Sequence, residues 1–442
     1  MTSSFLISAP SSGSGKTTVA RGLMALLAAK GMRVQPFKCG PDYIDTKFHE
    51  MVCGRPSINL DTFMATPDYV RKLFFRYGKD AVCIVEGMMG LFDGYDRDRG
   101  SSAEIASVLG IPVVLVVDAR SAAYSVAPLL QGFVNFRDNV NIVGVIYNKV
   151  GSERHYQMLK QVCDDLHLRC FGYLPKCAGL EQGSRYLGLD FSERTETAEL
   201  LRLMETHVDW EGLSRLGGCD RQPAVPATEG CVAVGRKPSV CIARNAESFS
   251  FLYQEVIDGF DRPCFFDPET EVPNLRDVDL LYLPGGYPEK HLEALVGNEA
   301  SRCAVREYAE RGGRVVAECG GMMYLCDRIV TDDGEYPMCG VLPYTISARK
   351  EDRRLSLGYR RFVLNGHEYR GHEFHYTQFL GDQPKSAIQV YNAKDEPVDT
   401  PVFCYKNVLA SYTHLSPQSP SLWGGRAGLG LSSNLYPLTS NL

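Results

Sequence analysis

The feature that most limits the fold of this chain is a glycine-rich turn close to its start. Residues 5–9 are almost entirely apolar, and residues 12–18, with the sequence Ser-Gly-Ser-Gly-Lys-Thr-Thr, follow shortly after them. An apolar strand that runs into such a turn and then into a helix is typical of a phosphate-binding loop. The sequence therefore predicts a nucleotide site on a strand–loop–helix unit.

Further short apolar runs alternate with helical segments through the first half of the chain. The predicted strands are residues 4–9, 33–38, 81–86, 112–118, 142–148 and 170–175, and the first predicted helix is residues 17–29. Runs that are apolar at nearly every position, with helices between them, indicate a parallel sheet that is buried on both faces. We therefore expect an α/β, doubly wound domain that carries the phosphate-binding loop.

The length of the chain indicates two domains, because 442 residues are too many for one ordinary core. Residues 217–237 are rich in glycine and proline and lack periodicity, which is typical of a linker. Beyond them, a second α/β domain is predicted, with strands at 239–243, 280–284 and 314–318. The predicted organisation is a nucleotide domain at 1–215, a linker at 216–237, a second domain at 238–425 and a tail at 426–442.

The composition argues against several classes of protein. The formal net charge is -6 and no basic run is present, so we expect no nucleic-acid partner. The fifteen cysteines include no CxxC pair, which favours reduced thiols over a disulfide framework or a zinc site. No leader and no membrane-spanning stretch is evident, so we expect a cytoplasmic enzyme without a membrane partner.

The glycine-rich turn predicts a separate role for its glycines and for the residues that follow them. Glycine lets the backbone point its N–H groups at phosphate oxygens, Lys16 reaches the terminal phosphates, and the hydroxyl of Thr17 holds Mg²⁺. A strict template has glycine where this chain has Pro10. Asn148 ends the fifth predicted strand, where it either bonds an adenine edge or forms a simple turn. The predicted nucleotide-binding residues are Gly13, Ser14, Gly15, Lys16, Thr17, Thr18 and Asn148.

Carboxylates at predicted strand ends supply candidates for metal binding and for orienting an acceptor. Asp42 and Asp45 follow the second predicted strand, and Glu86 ends the third, beside a glycine-rich loop that contains Asp93. In open parallel sheets, ligands bind at the carboxyl ends of the strands. This position favours a ligand-binding role for Asp42 and Glu86 over the role of an ordinary solvated cap. The predicted metal ligands are therefore Thr17, Glu86 and Asp42.

A second chemistry is indicated in the second half, where Cys319 lies between a predicted strand and two glycines. This sharp turn is expected to expose the sulfur at the N-terminus of the next helix, whose dipole favours the thiolate. For the other cysteines, a buried structural role is the better interpretation. A chain that binds ATP and also carries a thiol nucleophile suggests bond formation with nitrogen released from glutamine.

A thiol that attacks an amide needs a base and donors for the oxyanion. Residues 283–289 provide backbone N–H groups, and the predicted oxyanion and substrate glycines of this domain are Gly285, Gly286 and Gly320. The predicted base is His414, with His372 and His375 as rivals that equally suit hydrogen-bonded strand residues. Ser416 occupies the position two residues after His414 where a carboxylate is expected. A Cys–His dyad is therefore predicted.

Taken together, these segments closely resemble the cobyrinic acid a,c-diamide synthase family, in the same order along the chain to about His414. The segments that carry the resemblance are residues 12–18, 34–38, 40–45, 85–94, 284–289 and 371–376. The resemblance implies a dethiobiotin-synthetase-like domain joined to a class I, triad-type glutamine amidotransferase domain. The chain departs from the family after His414, where the family continues with another histidine.

The resemblance also implies an activity and a set of roles. It implies that glutamine is hydrolysed at Cys319 through a thioester, and that ATP and Mg²⁺ activate the a and c acetates of a corrinoid as acyl phosphates. It places Asp42, Glu86 and Asp93 in the synthetase site. It also implies that Tyr43 and Ile44 lie in the loop beside the tetrapyrrole, and Asp45 is predicted to contact the substrate with them. Whether the chain forms a homodimer is left open by the sequence.

Two kinds of alternative remain at this point. Relatives within the family act on hydrogenobyrinic acid or on nickel-sirohydrochlorin with the same machinery, and sequence alone does not separate them. Outside the family, the first half also resembles a partitioning-type ATPase, with the second half an inactive scaffold. That reading leaves Cys319 and residues 284–286 unexplained.

Overall fold

The computed structural model describes residues 3–177, 194–217 and 238–419, and it contains two compact units, Met1–Pro226 and Ala227–Leu442. Most of the predicted linker and all of the predicted tail lie outside the described residues, so the four predicted domain bounds stay predictions. None of the helices among the described residues has the length and apolar character needed to cross a bilayer.

The first unit alternates strands and helices. Its strands are β1 (Ser4–Ser8), β2 (Val34–Cys39), β3 (Ile58–Leu60), β4 (Val82–Glu86), β5 (Val113–Asp118), β6 (Ile142–Val150) and β7 (Arg169–Pro175). Its helices are α1 (Lys16–Ala29), α2 (Ile44–Cys53), α3 (Pro67–Gly78), α4 (Ser102–Leu109), α5 (Val126–Asn135), α6 (Glu153–Asp165), α7 (Arg194–His207) and α8 (Trp210–Ser214). The short edge strand β3 is the one strand of this sheet that the sequence analysis missed.

The seven strands form one sheet in the order β3-β2-β4-β1-β5-β6-β7. Every neighbouring pair in it is parallel. Buried apolar side chains form one core on each face of the sheet, as the continuous apolar runs predicted. The predicted doubly wound parallel sheet is therefore confirmed. Because β1 lies between β4 and β5, the turn that follows β1 lies beside the ends of these two strands.

The second unit combines a mixed sheet with antiparallel hairpins. Its strands are β8 (Val240–Ala243), β9 (Cys264–Phe266), β10 (Leu280–Leu283), β11 (Val315–Glu318), β12 (Cys326–Val330), β13 (Glu335–Pro337), β14 (Leu342–Ser347), β15 (Ser356–Leu364), β16 (His367–His375), β17 (Gln378–Phe379), β18 (Val390–Tyr391), β19 (Pro397–Val398), β20 (Val402–Tyr405), β21 (Val408–Ser411) and β22 (His414–Leu415). Its α-helices are α9 (Gln254–Gly259), α10 (Leu292–Gly297), α11 (Glu299–Glu310) and α12 (Gly320–Leu325), and the segments Pro288–Lys290 and Lys350–Asp352 are 3₁₀ turns.

The central sheet of the second unit has the order β20-β21-β11-β10-β8-β9. All its pairs are parallel except β20–β21 at the edge. Strands β10, β11 and β21 therefore end side by side at one edge, where Gly285, Cys319 and His414 follow them. The long hairpin β15–β16 brings β16 against β22, so that it also reaches this edge.

Candidate functional site

The glycine-rich turn after β1 is shaped by two left-handed glycines. Gly13 has a φ of 77° and Gly15 a φ of 93°, and Gly15 is the residue that precedes α1. Such conformations favour glycine strongly, because a Cβ collides with the backbone there. A methyl group at Gly15 would also lie only 2.0 Å from Nδ2 of Asn148. The turn thus has the form of a cradle, with Lys16, Thr17 and Thr18 in the first turn of α1.

Asn148 holds this turn from the neighbouring part of the sheet. Its Nδ2 donates a hydrogen bond to the carbonyl of Ser14 at 3.0 Å, and Nζ of Lys149 donates to the carbonyl of Gly13 at 3.2 Å. The hydroxyl of Ser14 donates to the carbonyl of Ser11. These bonds fix the backbone of the cradle, and the contact of Asn148 with adenine stays a prediction.

A buried network of charged groups lies beside the cradle. The hydroxyl of Thr17 donates to Oε1 of Glu86 at 2.6 Å, and Nζ of Lys38 donates to the same oxygen at 2.9 Å. Nζ of Lys38 also donates to Oδ2 of Asp45 at 2.6 Å. Nε2 of His49 lies 2.7 Å from the other carboxylate oxygen of Glu86. Glu86 is thus the meeting point of side chains from the end of β2, the start of α1 and helix α2.

The charges of this network stabilise one another. Burial alone raises the pKa of Glu86, but Lys38, His49 and Thr17 outweigh burial and hold the pKa well below its usual range. Burial lowers the pKa of Lys38, but the charges of Glu86 and of the two aspartates nearby outweigh it and raise the pKa. Both groups are therefore charged at neutral pH, which keeps Glu86 an anion beside the cradle.

The residues present fit a magnesium ion. Thr17 and Glu86 put a hydroxyl and a carboxylate oxygen together, and hard oxygen ligands are those that Mg²⁺ prefers. No group of three or more His, Cys, Asp or Glu suited to a metal occurs among the described residues. Magnesium in phosphate-transfer sites keeps waters and phosphate oxygens as its other ligands, so a small protein donor set is expected.

Asp42 and Asp93 hold loops in place. Oδ1 of Asp42 accepts hydrogen bonds from the backbone N–H groups of Ile44 and Asp45, at 2.8 and 2.9 Å, which caps the start of α2. Oδ2 of Asp93 accepts a bond from the N–H of Gly90 at 2.9 Å. Tyr43 is buried just before α2. The catalytic roles of Asp42 and Asp93, the metal role of Asp42 and the substrate roles of Tyr43, Ile44 and Asp45 stay predictions.

Cys319 forms a strained elbow between β11 and α12. Its φ is 47° and its ψ is −108°, and its N–H donates to the carbonyl of Ser411 at 2.8 Å. Its side chain is buried, with 3% of its surface exposed, so the expectation that the turn exposes the sulfur is wrong. Burial, and then the negative charge of Glu289, raises the pKa of the Cys319 thiol. These effects outweigh the hydrogen bond from the backbone N–H of Gly320, which lowers the pKa, and a base is therefore needed to remove the proton.

His414 reaches the same edge of the sheet as Cys319. It begins β22 and lies directly opposite His372 of β16, with the two rings stacked at 4.9 Å between centroids. Burial, and then the nearby ionisable rings of His372 and His375, lowers the pKa of His414 well below its usual value. Burial, and then the charge of Arg360, lowers the pKa of His372 to about 3. Both rings are thus neutral at rest, as a general base must be.

The three predicted glycines lie in close contact with these groups. A methyl group at Gly285 would lie 2.2 Å from Cε1 of His414. A methyl group at Gly320 would lie 3.0 Å from the backbone N of Gly286, which has a φ of 156°. The backbone groups of Gly286 and Gly320 are therefore neighbours beside the elbow, where an oxyanion would need paired donors. Donation to an oxyanion stays a prediction.

His375 has a different environment. Its Nε2 lies 2.6 Å from Oε1 of Glu373, and its Nδ1 lies 2.8 Å from the carbonyl of Thr377. Its ring also stacks on Tyr412 at 3.6 Å between centroids. With both ring nitrogens engaged, His375 fits the interpretation of a hydrogen-bonded strand histidine, and His414 remains the better candidate for the base.

Two family models match the chain, one in each half. Residues 5–187 match the CobQ/CobB/MinD/ParA nucleotide binding domain, and residues 262–421 match the CobB/CobQ-like glutamine amidotransferase domain. The cobyrinate a,c-diamide synthase of Caldanaerobacter subterraneus is 38% identical over 93% of this chain and 94% of that protein. The chain belongs to the a,c-diamide synthase family.

Other diamide synthases are similar over the same length. The hydrogenobyrinate a,c-diamide synthase of Rhizobium meliloti is 37% identical over 93% of this chain and 98% of that protein. The protein of the same name from Mycobacterium tuberculosis is 36% identical over 94% and 95%. The solved MinD cell division protein of Aquifex aeolicus matches 40% of this chain and 84% of its own, with 16% identity and a TM-score of 0.31. A TM-score this low supports no argument.

Three residues of this diamide synthase chain were missed by sequence reasoning. The sequence did contain a sign that Lys38 is functional, because it is the one charged residue in the buried strand β2. His49 had a weaker one, since it follows Asp45 by one helical turn and so shares its face. Glu318 had the same signal as Glu86, a carboxylate at the end of a buried strand, but nothing in the sequence placed it near His414.

Glu318 is the last residue of β11, and its side chain is buried between β10 and β22. The hydroxyl of Tyr282 donates to its Oε2 at 2.9 Å, and the backbone N–H of Leu415 donates to its Oε1 at 3.1 Å. Nδ1 of His414 lies 3.8 Å from Oε2. Burial raises the pKa of Glu318 to about 8, although the two hydrogen bonds act in the opposite direction.

Proposed function

We propose that this chain amidates the a and c acetate side chains of cobyrinate, with ATP as the activating nucleotide and glutamine as the nitrogen donor. The observation that carries the proposal is that one chain holds both a phosphate-loop unit and an elbow-thiol unit. The relatives named for this reaction match both units and cover 93% of the chain. A partitioning-type ATPase needs no second unit.

The glutaminase step belongs to the second unit. His414 takes the proton of the Cys319 thiol, and the sulfur attacks the side-chain amide carbon of glutamine. The N–H groups of Gly286 and Gly320 stabilise the oxyanion that forms. Collapse of this intermediate breaks the carbon–nitrogen bond, His414 returns the proton to the leaving ammonia, and a thioester remains. Water then hydrolyses the thioester to glutamate and restores the thiol.

The synthetase step belongs to the first unit. A carboxylate is inert to ammonia until one of its oxygens becomes a phosphate leaving group. The acetate oxygen attacks the terminal phosphate of ATP, which releases ADP and leaves an acyl phosphate. Ammonia then attacks the acyl carbon, and inorganic phosphate leaves. The N–H groups of the 12–18 turn and Lys16 hold the phosphates through this exchange.

The charged network around Glu86 prepares this site. Magnesium, held by Thr17 with Glu86 close by, would supply neutralisation of the phosphate charge. Lys38 is buried between Glu86 and Asp45, so its ammonium holds these two carboxylates in place beside the phosphate-binding turn. Tyr43 and Ile44, at the start of α2, are proposed to contact the macrocycle beside it.

Hydrogenobyrinate is a second candidate for the substrate. Relatives that carry that name are 36–37% identical, almost as similar as the cobyrinate enzyme at 38%. The two macrocycles differ in the central cobalt, whereas the amidated acetates lie at the rim, so the same site chemistry serves both.

The test is a mass-spectrometric assay with purified protein, ATP, Mg²⁺ and glutamine, in which cobyrinate and hydrogenobyrinate are offered separately. We expect two carboxyl groups to become amides on one of the macrocycles, with glutamate and ADP formed in step. Hydrolysis of glutamine and ATP without amidation of either macrocycle would contradict the proposed substrates. Failure to consume glutamine at all would contradict the proposed chemistry.

A further inference from the structure

The environment of His414 contains a carboxylate in an unexpected place. In a Cys–His site, a carboxylate that bonds the second ring nitrogen keeps the imidazole in the right tautomer and stabilises its protonated form. Ser416 stands two residues after His414, and its hydroxyl accepts a hydrogen bond from the N–H of Gln418 at 3.1 Å. A hydroxyl carries no charge, so Ser416 cannot balance an imidazolium.

Two other carboxylates near this site, those of Glu373 and Glu289, interact with different groups. Glu373 of β16 accepts bonds from Arg360, His375 and Thr400, so its charge is already compensated. Glu289 acts on the thiol of Cys319 and raises its pKa. Glu318 differs from both, because Oε2 lies 3.8 Å from Nδ1 of His414.

We infer that Glu318 is a positioning residue for His414, a third member of the thiol site supplied by the residue that precedes the nucleophile. Its Oε2 lies 3.8 Å from Nδ1 of His414, a distance suited to an ion pair, so its charge attracts a proton on Nδ1 and leaves Nε2 as the basic nitrogen. The bond from Leu415 to Oε1 holds the backbone just beyond His414, so Glu318 fixes both the ring and its attachment. This inference rests on the proposed function, since a base matters only if glutamine is hydrolysed.

Glu318 acts in the glutaminase step through its charge. When the proton of the Cys319 thiol moves to Nε2 of His414, the ring becomes a cation while the sulfur gains the electron pair of the broken S–H bond. The carboxylate of Glu318 offsets the positive ring until the proton leaves with ammonia. The same offset serves the second half of the reaction, in which the proton comes from the attacking water.

The pH dependence of the reaction gives a direct signature. Titratable groups near the pair come from three elements: Tyr282 of β10, Cys319 after β11, and His372, Glu373 and His375 of β16. Because burial raises the pKa of Glu318 to about 8, its carboxylate forms as the pH rises through that value. The active form has Glu318 ionised and His414 neutral, so kcat/KM for glutamine hydrolysis should rise with pH through about 8.

The first variant is Glu318→Gln, which keeps an oxygen acceptor for the N–H of Leu415 and removes the charge. We expect kcat for glutamine hydrolysis to fall about a hundredfold or more, with KM changed less than about threefold. The rise of kcat/KM near pH 8 should disappear. Amidation with high ammonium should persist, which shows that the variant is folded.

The second variant is Tyr282→Phe, which leaves the carboxylate in place and removes a hydrogen bond that lowers its pKa. We expect the midpoint of the pH profile to move to higher pH. The matched control is Tyr308→Phe, because Tyr308 is also buried but donates to the carbonyl of Val278. Its profile should match that of the unmodified enzyme.

Two results would overturn the inference. One is a Glu318→Gln variant with the kcat and pH profile of the unmodified enzyme. The other is an unmoved midpoint in Tyr282→Phe, which decides the matter even if Glu318→Gln fails to fold. An unmodified enzyme that does not hydrolyse glutamine would instead refute the proposed function.

Discussion

At the scale of single residues, the geometry of the thiol site depends on one strained cysteine and on glycines packed around it. Cys319 has a φ of 47°, a conformation that costs a non-glycine residue on the order of 1–3 kcal/mol. The bond from its N–H to Ser411 and the bond from the N–H of Met323 to its carbonyl hold this conformation from both sides. These bonds keep Cys319 at the elbow between β11 and α12, beside Gly320 and Gly321.

We predict that Gly285→Ala abolishes glutamine hydrolysis while amidation with ammonium continues. The added methyl group would lie 2.2 Å from Cε1 of His414, so the ring must leave its place. The measurement is glutamate release and ammonium-dependent amidation on the same preparation. Gly259→Ala is the control, because nothing lies within 4 Å of its methyl group. Full glutaminase activity in Gly285→Ala would show that the position of His414 does not matter.

Single residues also show what the sequence could predict. Cys319 and His414 could be proposed from local pattern alone, as a cysteine before two glycines and a histidine near the end of the domain, and the structure places both at the same edge of the central sheet. The role of Glu318 could not be proposed in this way, because its relation to His414 arises only from the pairing of β11 with β21 and of β16 with β22. The burial of the thiol was missed for the same reason, since residues far along the chain cover it.

At the scale of elements, the two sites follow one rule, in which polar groups gather where neighbouring parallel strands end. In the first unit these are β2 and β4 around Lys38 and Glu86, and in the second they are β10, β11 and β21 around Cys319. Buried parallel strands were predictable because their side chains are apolar throughout. The edge strand β3 has only three residues, and β15–β16 carries polar side chains on a half-exposed hairpin, so neither gave a clear pattern.

We predict that Lys38→Met disables the synthetase site and destabilises the first unit. Without the ammonium, Glu86 and Asp45 remain buried as facing anions, and breaking such a pair costs about 3–5 kcal/mol. Lys30→Met is the control, since it removes an exposed lysine–glutamate pair worth less than about 1 kcal/mol.

Chemical denaturation and amidation assays test this prediction. Amidation should be lost with glutamine and with ammonium alike, whereas glutamine hydrolysis in the second unit should continue. Equal stability and equal amidation in the two lysine variants would show that the buried network around Glu86 has no such role.

At the scale of the whole molecule, the chain joins two compact units with separate chemistries. The order of the motifs along the chain was enough to predict this pairing and the family. The choice between cobyrinate and hydrogenobyrinate was not predictable, because the groups that react are the same in both. If ammonia made in one unit is consumed in the other, the two activities should be separable by substitution and coupled in the unmodified enzyme.

The most direct test of this coupling uses glutamine labelled with ¹⁵N in its side-chain amide. With the unmodified enzyme, ATP and the macrocycle, we predict that both new amides carry the label. With Cys319→Ser, no label should enter, while unlabelled ammonium at high concentration should still give the diamide. Labelled product from Cys319→Ser, or loss of the ammonium reaction in a folded variant, would contradict the division of work between the two units.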